Sequence, residues 1–200
     1  MHSVMQSRRL LVVPLLAILA LVAGCSDLSG TQGGAYVTGD GQIKVWPTAK
    51  RGEPVDLTGD TLDGGTWSAK DNRGKPVVVN VWWSNCGPCR KEMPMLQAAA
   101  ADLEGKATFI GVNTRDNSAD NGISFERSIG VSYPSLYSPD GAALLALPGL
   151  PRALPSTVVL DADGRIAATV SGQLPSKLTL TELVGCIADD QASDDCKVKS

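Results

Sequence analysis

Apolar positions along the chain switch between two periods. Val77, Val78, Val79, Val81 and Trp82 form an almost unbroken apolar run, the mark of a strand buried on both faces. Met93, Leu96, Ala99, Ala100 and Leu103 then recur at helical spacing, so a strand feeds a helix. Thr108 to Asn113 repeats the strand pattern, and Asn117 to Ile129 fits a helix stopped by Gly130. Upstream, Ile43 to Trp46 predicts an edge strand limited by Pro47. Val55 to Thr58 and Gly65 to Ser68 flank an Asp63-Gly64-Gly65 turn and predict a hairpin. Downstream, Ala142 to Leu147 predicts a short helix cut off by Pro148 and Gly149. A second hairpin joins Thr157 to Leu160 with Arg165 to Val170, and Leu178, Leu180, Leu183, Val184 and Ile187 mark a closing helix.

The N-terminus follows a different logic. Arg8 and Arg9 precede an apolar run from Leu10 to Ala23 that is too short to span a bilayer comfortably, which reads as a secretion signal over 1–24. Leu21, Val22, Ala23, Gly24 and Cys25 resemble a bacterial lipobox, which makes Cys25 the lipidated first residue after cleavage. Ser26 to Asp40 is rich in Ser, Gly, Thr and Asp and reads as a flexible tether. The expected organisation is therefore signal 1–24, tether 25–42, and one domain over 43–200 with an acidic C-terminal tail. The chain has 18 basic and 21 acidic residues, net −3; without Arg8 and Arg9 the balance is 16 against 21, net −5. That balance argues against a nucleic-acid partner.

The chemistry lies where strand meets helix. Cys86, Gly87, Pro88 and Cys89 sit at the joint, where the first helical N–H groups lack intrahelical partners and the helix dipole favours an ionised sulfur. Gly87 lets a substrate backbone approach, and Pro88 fits the first turn without losing a hydrogen bond. Cys89, one turn on, is placed to resolve a mixed disulfide formed at Cys86, so the pair reads as a dithiol/disulfide exchange site. A zinc site needs four ligands; there is no second CxxC, and the single histidine, His2, precedes the expected cleavage point. Of five cysteines, removing Cys25, Cys86 and Cys89 leaves Cys186 and Cys196, a candidate structural disulfide of the kind that persists outside the cytoplasm.

The run from Val78 to Pro94 resembles the thioredoxin superfamily, most closely its membrane-tethered TlpA/ResA-like branch. The resemblance extends more loosely from Arg51 to Ile187. It implies an α/β thioredoxin-like fold, with a mixed central sheet flanked by helices, an N-terminal β-hairpin extension and an inserted helix. It implies an acidic side chain beside the cysteines at Glu92, and a cis-proline at Pro155 whose predecessor Leu154 offers backbone groups to an extended substrate, with Trp83 among the groove residues. The chain departs from cytoplasmic thioredoxins in carrying Asn80 where they have a buried Asp. It departs from many relatives in having Asn85 before the first cysteine.

The leading expectation is an extracytoplasmic, lipid-anchored thiol-disulfide oxidoreductase, without cofactor or metal. By resemblance its task is reducing the haem-binding cysteines of apocytochrome c, with a membrane protein supplying electrons. The Gly87-Pro88 pair and the absence of histidine between the cysteines favour a reductant. Three alternatives stay open: an oxidant or isomerase for secreted proteins, a metal-binding or copper-delivery module on the same frame, and a peroxidase. The peroxidase reading lacks the usual threonine and proline ahead of the first cysteine.

Overall fold

A computed structural model describes residues 36–37 and 42–189. The signal 1–24, Cys25, most of the tether, Cys196 and the acidic tail from 190 onward lie outside the described residues. Nine strands are described, β1 (Tyr36–Val37), β2 (Ile43–Val45), β3 (Thr58–Asp60), β4 (Thr66–Ser68), β5 (Val77–Trp82), β6 (Thr108–Asn113), β7 (Ser135–Tyr137), β8 (Ser156–Leu160) and β9 (Ile166–Ser171). The α-helices are α1 (Gly87–Asp102), α2 (Ala119–Ile129) and α3 (Lys177–Ala188). No described helix is long and apolar enough to cross a membrane.

Seven strands form one mixed sheet in the order β1-β2-β9-β8-β5-β6-β7. β5, β6 and β7 run parallel, joined through α1 and α2, and β8 runs antiparallel to β5 on its other side. The all-buried run of β5 is explained by its central place. Val78 and Trp82 face a cluster with Met93 and Leu96 of α1, Phe125 of α2, and Leu180, Leu183 and Val184 of α3. Val77, Val79 and Val81 face the opposite cluster with Ile110, Val112, Val158 and Leu160, capped by Leu57, Trp67, Leu136 and Leu147. Two successive parallel crossovers stepping the same way along a sheet put both helices on one face when both are right-handed, the usual hand. The other face is covered by the β3–β4 hairpin with Leu57 before it and by the segment around Leu147.

Several sequence expectations shift. β2 is not an edge strand, because β1 pairs outside it and β9 inside. Tyr36 and Val37, within the stretch read as tether, supply that pairing. Val55 and Leu57 are buried but not strand residues; β3 starts only at Thr58, since the Val55 N–H is committed to the Gly164 carbonyl at 2.9 Å. Ala142–Ala146 is a 3₁₀ turn rather than an α-helix, too short between the left-handed Gly141 and Pro148 for a second turn. α2 begins after Ser118, whose hydroxyl accepts from the Asp120 N–H, and ends on left-handed Gly130.

Candidate active site

β5 ends at Trp82 and the chain turns through Trp83, Ser84 and Asn85 into α1. Cys86 is the N-cap of that helix, and its sulfur accepts from the Cys89 N–H at 3.2 Å. One otherwise partnerless helical N–H is thereby aimed at the sulfur, where negative charge is favoured. Pro88 occupies the first turn. Cys86 and Cys89 form a disulfide, S–S 2.06 Å with Cα atoms 5.2 Å apart. Cys86 is the more exposed sulfur-bearing residue, 8% against 2% for Cys89. A Cβ added to Gly87 would meet no heavy atom within 4 Å, so the approach over it is open.

The Leu154–Pro155 peptide is cis. The antiparallel register places Ser156 opposite Val81, so Pro155 lies at the end of the sheet where the cysteine loop leaves β5. Trp83 and Leu154 are half-buried and pack against the helix-side core, while Trp82 is fully buried against Phe125 with ring centroids 5.7 Å apart.

Glu92 lies one turn beyond Cys89 on α1, 1% exposed. Its Oε1 accepts from Asn80 Nδ2 at 2.9 Å and its Oε2 from the Leu174 N–H at 2.9 Å. Asn80 Nδ2 also lies 3.3 Å from Thr157 Oγ1. Burial pushes the Glu92 carboxyl up from its ordinary 4.5 to about 7, against the pull of those two donors. The Asn in place of a carboxylate on β5 thus pairs with a carboxylate on the helix.

Sequence reading missed the residues that hold the cysteine loop. Asp116, on the turn after β6, is 2% exposed. Its carboxylate accepts from the Ser84 N–H at 3.1 Å, the Ser84 hydroxyl at 2.5 Å and Asn113 Nδ2 at 2.7 Å. The Tyr137 hydroxyl donates to the Asp116 carbonyl at 3.1 Å. From the opposite side Arg90 donates to the Ser84 carbonyl at 3.0 Å and lies 4.2 Å from the Phe125 ring centroid. The only sequence signal was a polar cluster after β6. Cys186, in α3, is disulfide-bonded; Cys196 lies outside the described residues, so their pairing stays an expectation. Among the described residues no group of three or more His, Cys, Asp or Glu could hold a metal ion.

The family model described as AhpC/TSA family matches residues 52–169. Among characterised relatives, the chain is 24% identical to the thiol-disulfide oxidoreductase ResA of Bacillus thuringiensis subsp. konkukian, over 80% of this chain and 88% of the relative. Among solved structures, a DsbF homologue from Corynebacterium diphtheriae is 30% identical with a TM-score of 0.69, covering 75% of this chain and 96% of that one. A secreted thiol-disulfide isomerase from Corynebacterium glutamicum is 29% identical with a TM-score of 0.70, covering 77% and 96%.

Proposed function

The chain belongs to the AhpC/TSA family and is a thioredoxin-type thiol-disulfide oxidoreductase, and on that premise we propose that Cys86 and Cys89 are its exchanging pair, working as a reductant outside the cytoplasm. The observation that carries this reading is the Cys86–Cys89 disulfide at the start of α1, with Cys86 as the N-cap. In the reduced protein the Cys86 thiolate attacks a client disulfide, forming a mixed disulfide and expelling one client thiolate. Cys89 then loses its proton and attacks the Cys86 sulfur. The second client thiolate leaves, two electrons have passed to the client, and the Cys86–Cys89 bond is restored.

Glu92 is the nearby group suited to take the Cys89 proton. Three residues further along one helix, it shares a face with Cys89, and a carboxyl titrating near 7 can both hold and release a proton at neutral pH. Gly87, Pro88, Trp83, Leu154 and Pro155 form the surface against which the client chain lies. Cys25 is the lipid anchor, and Cys186 with Cys196 a structural bridge. The extracytoplasmic assignment is supported by the secreted relative and by the signal-like N-terminus. The client class is disulfide-containing extracytoplasmic protein, with apocytochrome c the specific candidate, and regeneration requires a membrane protein that passes electrons outward.

The direction of transfer is tested by the reduction potential of the Cys86/Cys89 couple. A value near or below the thioredoxin value of about −270 mV supports the reductant; one near −120 mV, about that of DsbA, would make it an oxidant.

A further inference from the structure

Beside the exchange site, on the side away from Glu92, lies a groove of about 540 Å³, of which the chemistry above uses only Leu154. Val81 and Thr114 line it at the ends of β5 and β6, and the 3₁₀ turn with the loop up to Leu154 lines the rest. Leu154, cis-bonded to Pro155, belongs to both the groove and the exchange site. Leu144, Leu145 and Leu150 make the groove apolar, and Leu145 is 87% exposed. Leaving a leucine that open to water forgoes the stabilisation its burial would bring.

Two arginines join these leucines in the lining. Arg115 has a left-handed backbone, φ 63°, uncommon for a residue with a side chain, and its N–H is tied to the Pro139 carbonyl at 3.1 Å. Arg152 is exposed on the loop before Pro155. Among the described residues neither guanidinium has a hydrogen-bonding or ion-pair partner. The carboxylate in the same lining, Asp140, turns its Oδ1 to the Ala142 N–H at 3.0 Å and the Ser138 hydroxyl at 3.3 Å. A leucine-lined trough in which two arginines without ion-pair partners outnumber one carboxylate, in a chain of net negative charge, matches a ligand that is apolar and acidic.

We propose that this groove seats the client polypeptide next to its exchanged disulfide, taking an apolar side chain against Leu144, Leu145 and Leu150 and a client carboxylate between Arg115 and Arg152. The proposal rests on Cys86 being the attacking sulfur. It assigns client selection to Arg115 and the loop 139–154 rather than to the cysteines.

The test uses the reduced protein and disulfide-bonded peptides that differ only beside the half-cystine: Leu-Glu, Leu-Lys or Ser-Glu. Each exchange rate is divided by the same variant's rate with uncharged dithiodipyridine, which is too small to fill the groove. The wild type should prefer Leu-Glu over Leu-Lys by about tenfold at low salt, with the preference shrinking as salt rises, and should prefer Leu-Glu over Ser-Glu. In R115E/R152E the Glu-over-Lys preference should invert. Equal normalised rates for the three peptides in the wild type, or a preference that survives the double reversal, would overturn the groove assignment alone. Sedimentation showing a dimer that dissociates in R115E/R152E would give the groove to a second copy and overturn it too. No reaction of dithiodipyridine at Cys86 would overturn the exchange reading and this inference together.

Discussion

Asn80 Nδ2 donates to Glu92 Oε1 at 2.9 Å, so a strand amide and a helix carboxyl meet one turn beyond the inner cysteine. The Leu174 N–H serves the other carboxylate oxygen. Two donors make the pocket a cradle for the charged form, yet burial outweighs them and leaves the group about evenly protonated near pH 7. Such a balance suits a proton carrier better than a permanently charged or permanently neutral side chain.

The same balance makes stability depend on pH. Glu92 titrates near its ordinary 4.5 when unfolded and near 7 when folded, so between those values the folded chain holds more protons. Its contribution is full below about pH 4.5 and declines as pH rises through 7, by up to about 3 kcal/mol. Urea unfolding of the wild type at pH 5 and pH 8 should show that decline, and Glu92→Gln, which cannot ionise, should lose most of it. The limb of the exchange pH–rate profile near 7 should vanish in the same variant. An unchanged pH dependence in Glu92→Gln would remove Glu92 from both roles.

Asp116 positions rather than reacts. Asp116→Asn replaces one acceptor oxygen with a donor facing Ser84 and Asn113, at a cost of about 1–3 kcal/mol. The loop that sets Cys86 at its helix start then loosens, and exchange should slow by about tenfold at a temperature where the variant is still folded. Ser84→Ala, which removes only the hydroxyl arm, should give a smaller effect on both readouts. A variant that melts earlier but exchanges at the wild-type rate would leave Asp116 a purely structural residue.

Gly111 on β6 is required by packing across the sheet. A Cβ there would overlap the Ser135 hydroxyl and come 2.7 Å from Trp82 Nε1, which donates to that hydroxyl at 3.1 Å. The Ser135 hydroxyl donates onward to Glu126 Oε1 at 2.6 Å. Gly111→Ala should cost about 3 kcal/mol of unfolding free energy, read as a lower denaturation midpoint at an unchanged slope, and shift the Trp emission. Adding Ser135→Gly should return part of the loss; no recovery would mean that the clash lies elsewhere.

Local chemistry was readable and long-range closure was not. The valine run, the Cys86 helix start and Gly130 as a stop each depend on a few neighbouring residues, and the structure reproduces them. The cis bond before Pro155 is implied by resemblance, and the strand that follows it singles out Pro155 over Pro148 and Pro151, which lack one. Glu92 was identified as an acid near the cysteines, but its partner Leu174 lies on the far side of the chain and left no pattern. Asp116 reads in sequence as one polar residue in a loop; only the pairing of β5 with β6 brings it to Ser84. β2 reads as an edge because Tyr36 and Val37, the residues that cover it, stand in a polar stretch.

In the proposed exchange Cys86, not Cys89, is the sulfur that attacks the client disulfide. Reduced Cys89→Ser and Cys86→Ser proteins, each given a disulfide-bonded peptide, are separated without reductant and mapped by mass. The Cys89→Ser protein should accumulate a mixed disulfide at Cys86, while Cys86→Ser should form little and turn over none. A stable adduct at Cys89 in the Cys86→Ser protein, with none at Cys86 in its counterpart, would contradict it.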